Sequence, residues 1–130
     1  MKLLLDTHIL LWSVLSPERL SAKVASALES PANELWISPI TTWEILVLAE
    51  KGRIVFKAED PAHWIRDVLS AIPLKEARLN HDIALASRQL NLPHQDPADR
   101  LIAATALVYD LVLVTADHRL MSLKQITVMS

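Results

Sequence analysis

Three short stretches of this 130-residue chain are apolar without alternation: Leu3-Leu4-Leu5, Leu35-Trp36-Ile37 and Leu111-Val112-Leu113-Val114. A strand with one wet face alternates polar and apolar residues. A strand that is apolar throughout needs cover on both faces, which is the condition of strands inside a parallel sheet. The segments between these runs carry helical spacing. Leu20, Val24, Ala27 and Leu28 fall on one helix face, and Ile83, Ala86, Ser87 and Leu90 on another. Ser38-Pro39, Asp60-Pro61 and Asp96-Pro97 each set a polar residue before a proline, the signal for a helix start. Gly52 is placed to close the helix that Pro39 opens. The expected helices are therefore 7–15, 20–28, 39–51, 62–71, 80–90 and 97–109, with a short helix or turn over 116–123. An extended segment at 72–74 suits only a sheet edge, because Pro73 lacks an N–H, and 126–129 reads as a last strand. Buried strands alternating with helices predict an α/β chain: a three-layer α/β/α sandwich with a central parallel sheet.

Length and composition narrow the chemistry. The chain is the size of one domain, 1–130. Apolar residues make up 52% and charged residues 22%, which predicts a packed core. It has a single glycine where average usage gives about nine, so glycine-rich phosphate loops and the G-x-S-x-G elbow are excluded. With no cysteine, thiolate metal sites, disulfides and a cysteine nucleophile are excluded as well. The formal net charge of −2 gives no broad basic footprint for nucleic acid, so chemistry on nucleic acid must rely on a local basic rim or a metal. Asp6 ends the leucine run too early for a signal peptide, and Asp110 breaks the apolar window 101–116 short of a membrane span. A soluble cytoplasmic protein with no membrane partner is expected.

Ligands of parallel sheets sit beyond the carboxyl ends of the strands. Asp6 follows the first strand and Asp117 follows the strand 111–114, so both carboxylates reach the same edge. Each also suits the start of a helix or turn. Glu44 falls among Ile40, Trp43, Val47 and Leu48 at helical spacing, where a carboxylate needs either a cation or a salt-bridge partner. In His94-Gln95-Asp96-Pro97-Ala98-Asp99-Arg100, Asp96 reads as a helix cap, while Asp99 stands at the mouth of a very apolar helix. Acids gathered at one edge, with no soft ligand in the chain, point to a hard divalent cation, Mg²⁺ or Mn²⁺, and to phosphate chemistry.

These pieces resemble a PIN domain, and more narrowly the VapC type of toxin ribonuclease from bacterial toxin–antitoxin pairs. The resemblance lies in Leu3-Leu4-Leu5-Asp6-Thr7-His8 with Leu10-Leu11-Trp12, in Ser38 through Trp43-Glu44-Ile45, in the segment from His94 to Ala103, and in Leu113-Val114-Thr115-Ala116-Asp117, in family order along almost the whole chain. It implies a PIN-like sandwich and metal-dependent endonucleolytic hydrolysis of RNA. It implies that Asp6, Glu44, Asp99 and Asp117 are the catalytic and metal-holding acids, with Asp96 and Thr115 as helpers. It further implies a homodimer held in check by a cognate antitoxin protein.

Arg100, Arg119 and His118 lie close enough in sequence to contact phosphates, and each also fits an ordinary surface charge. His8, Trp12 and Trp43 are aromatic groups beside the acids, placed for core packing or for stacking a base. Lys51, Arg53 and Lys57 form a small basic patch. Two other functions use similar acids: a PIN-type nuclease of RNA processing or DNA cleavage without a toxin role, and a Mg²⁺-binding phosphatase or receiver-like domain. A receiver needs paired acids after its first strand and a lysine after its last. Here Asp6 stands alone after Leu4-Leu5, and no lysine closely follows 111–114.

Overall fold

The leucine run at the N-terminus becomes the middle of a sheet. In a computed structural model, which describes residues 1–57, 60–93 and 95–130, β1 (Lys2–Leu5) pairs on one side with β2 (Glu34–Ile37) and on the other with β4 (Val112–Val114). β3 (Leu74–Glu76) adds outside β2, and β5 (Val128–Met129) outside β4. All four pairings are parallel, in the order β3-β2-β1-β4-β5.

Successive side chains of β1 feed two separate cores, as the two-residue period of a strand requires. Leu4 and its partner Leu113 pack with Ile83, Ile102 and Leu120 on one face. Leu3, Leu5 and Val114 pack with Ile9, Val24, Ile45 and Trp64 on the other. The helices are α1 (Thr7–Leu15), α2 (Ala22–Glu29), α3 (Pro39–Glu50), α4 (Pro61–Ala71), α5 (His81–Ser87), α6 (Pro97–Tyr109) and α7 (His118–Met121). They cover both faces, which gives the expected α/β/α sandwich. Leu3, Leu4 and Leu5 are essentially sealed from water. Burying each contributes about 1.5–3 kcal/mol. No helix among the described residues is long and apolar enough to cross a membrane.

Local chemistry sets the helix ends that matter for the site. Ser38 Oγ accepts from Ile40 N at 3.0 Å, and Pro39 follows at the first helical position of α3. At the other end of α3, Gly52 adopts φ +70°, its N–H reaching Ala49 O at 3.0 Å while Arg53 N reaches Leu48 O at 2.9 Å. This is the paired closure of a Schellman motif, and it needs a residue tolerant of the left-handed region at Gly52.

Several boundaries differ from the sequence reading, among them α2 starting at Ala22 rather than 20 and β5 at Val128 rather than 126. The edge strand lies at Leu74–Glu76 rather than 72–74, since Pro73 has no N–H to give β2 and pairing starts just after it, at Leu35↔Leu74. α5 ends at Ser87, three residues before the expected 90.

Candidate active site

Asp6, Glu44, Asp96, Asp99 and Asp117 line one cleft of about 800 Å³ at the carboxyl edge of the sheet. Four separate stretches of chain bring them there. Asp6 leaves β1 and caps α1, Glu44 stands on the second turn of α3, Asp96 and Asp99 open α6, and Asp117 follows β4 and caps α7.

Asp6 is buried, and its oxygens are held individually. Oδ1 accepts from Thr7 N at 2.8 Å, and Thr115 Oγ1 donates to Oδ2 at 2.7 Å. The Thr115 oxygen in turn accepts from Asp117 N at 3.0 Å, so one hydroxyl ties the acid after β1 to the acid after β4. Burial pushes the Asp6 carboxyl up, more strongly than the hydrogen bonds from Thr115 and Thr7 and the charge of His8 hold it down, and Asp117 adds a further upward push. Glu44 is half-buried and accepts from the Thr7 hydroxyl. Burial raises its pKa too, the Thr7 bond opposes this, and the neighbouring charges of Asp6, Asp99 and Asp96 raise it further. The other acids are held differently. Asp96 Oδ1 caps α6 through Ala98 N and Asp99 N at 2.9 and 3.3 Å. Asp117 takes a two-pronged contact from Arg119, whose Nη2 also lies 3.6 Å from Asp99 Oδ2. These acids hold the Arg119 guanidinium above its ordinary pKa, Asp117 most of all.

Among the described residues, no three Asp, Glu or His side chains stand close enough, as they lie, to grip one ion. The donor set nevertheless fits a hard cation. The acids lining the cleft offer only oxygen donors, and two of them carry charge that burial penalises. Mg²⁺ keeps several waters and takes only one or two carboxylates directly, so it does not require a closed cage of protein ligands.

The arginines read from sequence part company. Arg119 and His118 line the cleft. Arg100 does not, since it is only 5% exposed and its guanidinium donates to Leu90 O and Leu92 O at 3.1 and 3.3 Å. Its charge is spent on fixing the approach to α6, which removes it as a phosphate contact. His94 of the same motif lies outside the described residues.

Of the two expectations for Trp43, core packing is the one the structure contradicts. Trp43 is 55% exposed, and α3 buries Thr41 and Ile45 instead. Apolar residues surround this helix on every side, so spacing alone does not select its inner face. Trp12 and His8 do line the cleft, their rings 5.9 Å apart, with the Arg19 guanidinium 4.5 Å from the Trp12 ring centre. Arg19 and Arg53 are cleft residues that the sequence did not single out for this role. Gly52 was a usable signal for Arg53, because a closed helix end folds the next residue back along the helix.

The chain matches the PIN-domain family over residues 3–126. It is 35% identical over 122 residues to Ribonuclease VapC22 of Mycobacterium tuberculosis, covering 92% of this chain and 89% of that protein. Among solved structures, it resembles VapBC2 of Rickettsia felis bound to a DNA fragment from its promoter, with a TM-score of 0.75, 18% identity, and coverage of 99% of this chain and 98% of the other. A toxin–antitoxin complex from Klebsiella pneumoniae matches with a TM-score of 0.64 and 27% identity, over 98% of this chain and 95% of the other.

Proposed function

The chain belongs to the PIN-domain family, and from that premise we propose that it is a metal-dependent endoribonuclease and the toxin of a toxin–antitoxin pair. The observation that carries the reading is the convergence of Asp6, Glu44, Asp99 and Asp117 on one cleft at the carboxyl edge of the sheet. The 35% identity to a protein named as a ribonuclease supports it.

Asp6, Glu44, Asp99 and Asp117 are the residues that would hold Mg²⁺ or Mn²⁺. When bound, such an ion would supply a more acidic water and neutralise charge that develops on the phosphate. Glu44, whose carboxylate has no ion pair among the described residues, orients the attacking water through a hydrogen bond. Thr115 is a positioning residue: its hydroxyl fixes Asp6 Oδ2 and the Asp117 backbone together. Thr7 does the same for Glu44. Asp96 acts on α6, capping the helix that presents Asp99. His118, Arg119, Arg19 and Arg53 supply positive charge in the same cleft for the phosphates on either side of the cut. This local supply answers the slightly negative net charge of the chain.

The protein works as a cytoplasmic homodimer and is silenced by a cognate antitoxin, the arrangement its family implies. An antitoxin arginine fits the acidic cleft, because a guanidinium makes charge-assisted, often two-pronged bonds to carboxylates.

The test is cleavage of a defined RNA. Internal cuts are expected with Mg²⁺ or Mn²⁺ and none after chelation, and Asp99→Asn is expected to abolish them while leaving the circular dichroism spectrum unchanged. Expression of the wild type should arrest bacterial growth, and Asp6→Asn should relieve the arrest. Undiminished cleavage by a fully chelated, nuclease-free preparation overturns the reading.

A further inference from the structure

One guanidinium is seated among the acids. Arg119 Nε and Nη2 donate to Asp117 Oδ1 and Oδ2 at 3.2 and 2.9 Å, and Nη2 reaches to 3.6 Å from Asp99 Oδ2. The two sides of this contact differ in burial. The Asp99 side chain is 12% exposed, and a carboxylate that deep needs a positive neighbour. The Arg119 side chain is 55% exposed, so water competes for it and the pairing is loosely held. A tight, buried pair would lock the acids, whereas a loose one neutralises them and still lets go.

We propose that Arg119 is a resident cation seated on Asp99 and Asp117. It holds Asp99 and Asp117 when no divalent ion is bound, and it competes with that ion for the same two carboxylates. Arg119 thus sets how much metal the protein needs before the site is loaded. The fork geometry of a guanidinium suits this role. It satisfies both oxygens of Asp117 at once while the same Nη2 also faces Asp99, which a point charge such as ammonium does less well. The proposal rests on the metal reading above.

The experiment is a Mn²⁺ titration at low ionic strength, read by the electron paramagnetic resonance of free Mn²⁺ and by calorimetry. Wild type, Arg119→Gln, Arg119→Lys, Arg53→Gln and Asp99→Asn are compared, each checked for folding by its melting curve. Arg119→Gln should bind Mn²⁺ roughly 2- to 5-fold more tightly than wild type, the scale of a lost exposed ion pair. Its metal-free melting temperature should fall by about 1–3 °C. Arg119→Lys, which keeps the charge and loses the fork, should fall between the two. Arg53→Gln removes a charge from the same cleft and should shift affinity by less than about twofold, since its charge is not placed between these two acids. Added salt should narrow the gap between wild type and Arg119→Gln.

Equal or weaker Mn²⁺ binding by Arg119→Gln overturns the proposal. So does an equal gain in Arg53→Gln, which would reduce the effect to the general field of the cleft. If Asp99→Asn binds Mn²⁺ as tightly as wild type, the metal reading itself falls and takes this proposal with it. Loss of binding in Asp99→Asn alongside an unchanged Arg119→Gln defeats the proposal alone.

Discussion

The two halves of the acidic cleft settle their charge by different means. On the side built from β1 and α3, Asp6 and Glu44 are met by hydroxyls and a backbone N–H, and among the described residues neither forms an ion pair. On the side built from α6 and the turn after β4, Asp99 and Asp117 share the guanidinium of Arg119. A hydroxyl donor fixes where a carboxylate oxygen points but leaves its charge in place. A guanidinium cancels charge but occupies the space that an incoming ion needs. The first half is therefore aimed and under-neutralised, and the second is neutralised and exchangeable. On the metal reading proposed above, uptake would draw on the first and be opposed by the second.

The largest effect that tests this contrast is on catalysis. Asp6→Asn and Asp99→Asn, one from each half, should both lower RNA cleavage by about a hundredfold or more, because each removes a charge from the same ion. A silent Asp99→Asn beside a dead Asp6→Asn would mean that only the aimed half holds metal.

Next in size is the response to metal. At ten times its dissociation constant, Mg²⁺ should stabilise wild type by about 1.4 kcal/mol, or about 5 °C in melting temperature. Glu44→Gln, which has lost a ligand from the under-neutralised half, should gain clearly less. Equal gains in thermal melts would remove Glu44 from the metal cluster.

The smallest effect isolates the uncompensated charge. Glu44→Gln should raise the metal-free melting temperature by about 3 °C at pH 7.5, since it keeps the volume and can still accept from Thr7. The pH dependence has a defined sign. The folded chain raises the Glu44 pKa, so it holds the proton to higher pH than the unfolded chain does. The penalty for carrying the charge is absent below the ordinary carboxylate pKa near 4 and grows as pH rises through the raised value. The gap between Glu44→Gln and wild type should therefore be smallest near pH 4 and open toward neutrality. A gap that stays constant across that range would assign the effect to packing instead.

The sequence showed the architecture and the acids for the same reason: both depend on short-range pattern. Unalternating strands, proline-marked helix starts and carboxylates at strand ends are visible within a few residues of one another. What stayed hidden depends on distant neighbours. Arg100 and Arg119 look alike in sequence, each beside a helix-opening aspartate, yet one is buried against the carbonyls of Leu90 and Leu92 and the other lies in the cleft. Arg19 reaches the cleft because the chain turns back after α1 through a short 3₁₀ turn, Pro17–Arg19, and no local pattern says which way that turn points. The exposure of Trp43 was hidden because α3 is apolar all round. The role of Thr7, whose hydroxyl donates to Glu44, was also unread, since a buried threonine in an apolar helix looks like filler until its hydroxyl is placed.

The hydrogen bond from Thr115 to Asp6 joins residues 109 positions apart. Synthesis runs from the N-terminus, and at the ribosome's pace residue 115 follows residue 6 by several seconds or more. In that interval β1, β2 and β3 with their helices can gather, but the second edge of β1 stays open until β4 docks along it. Three of the four principal acids are already made, while the fourth, Asp117, and the hydroxyl that aims Asp6 are still absent. The cleft therefore stays incomplete until β4 docks, and it is finished by nearly the last strand to arrive.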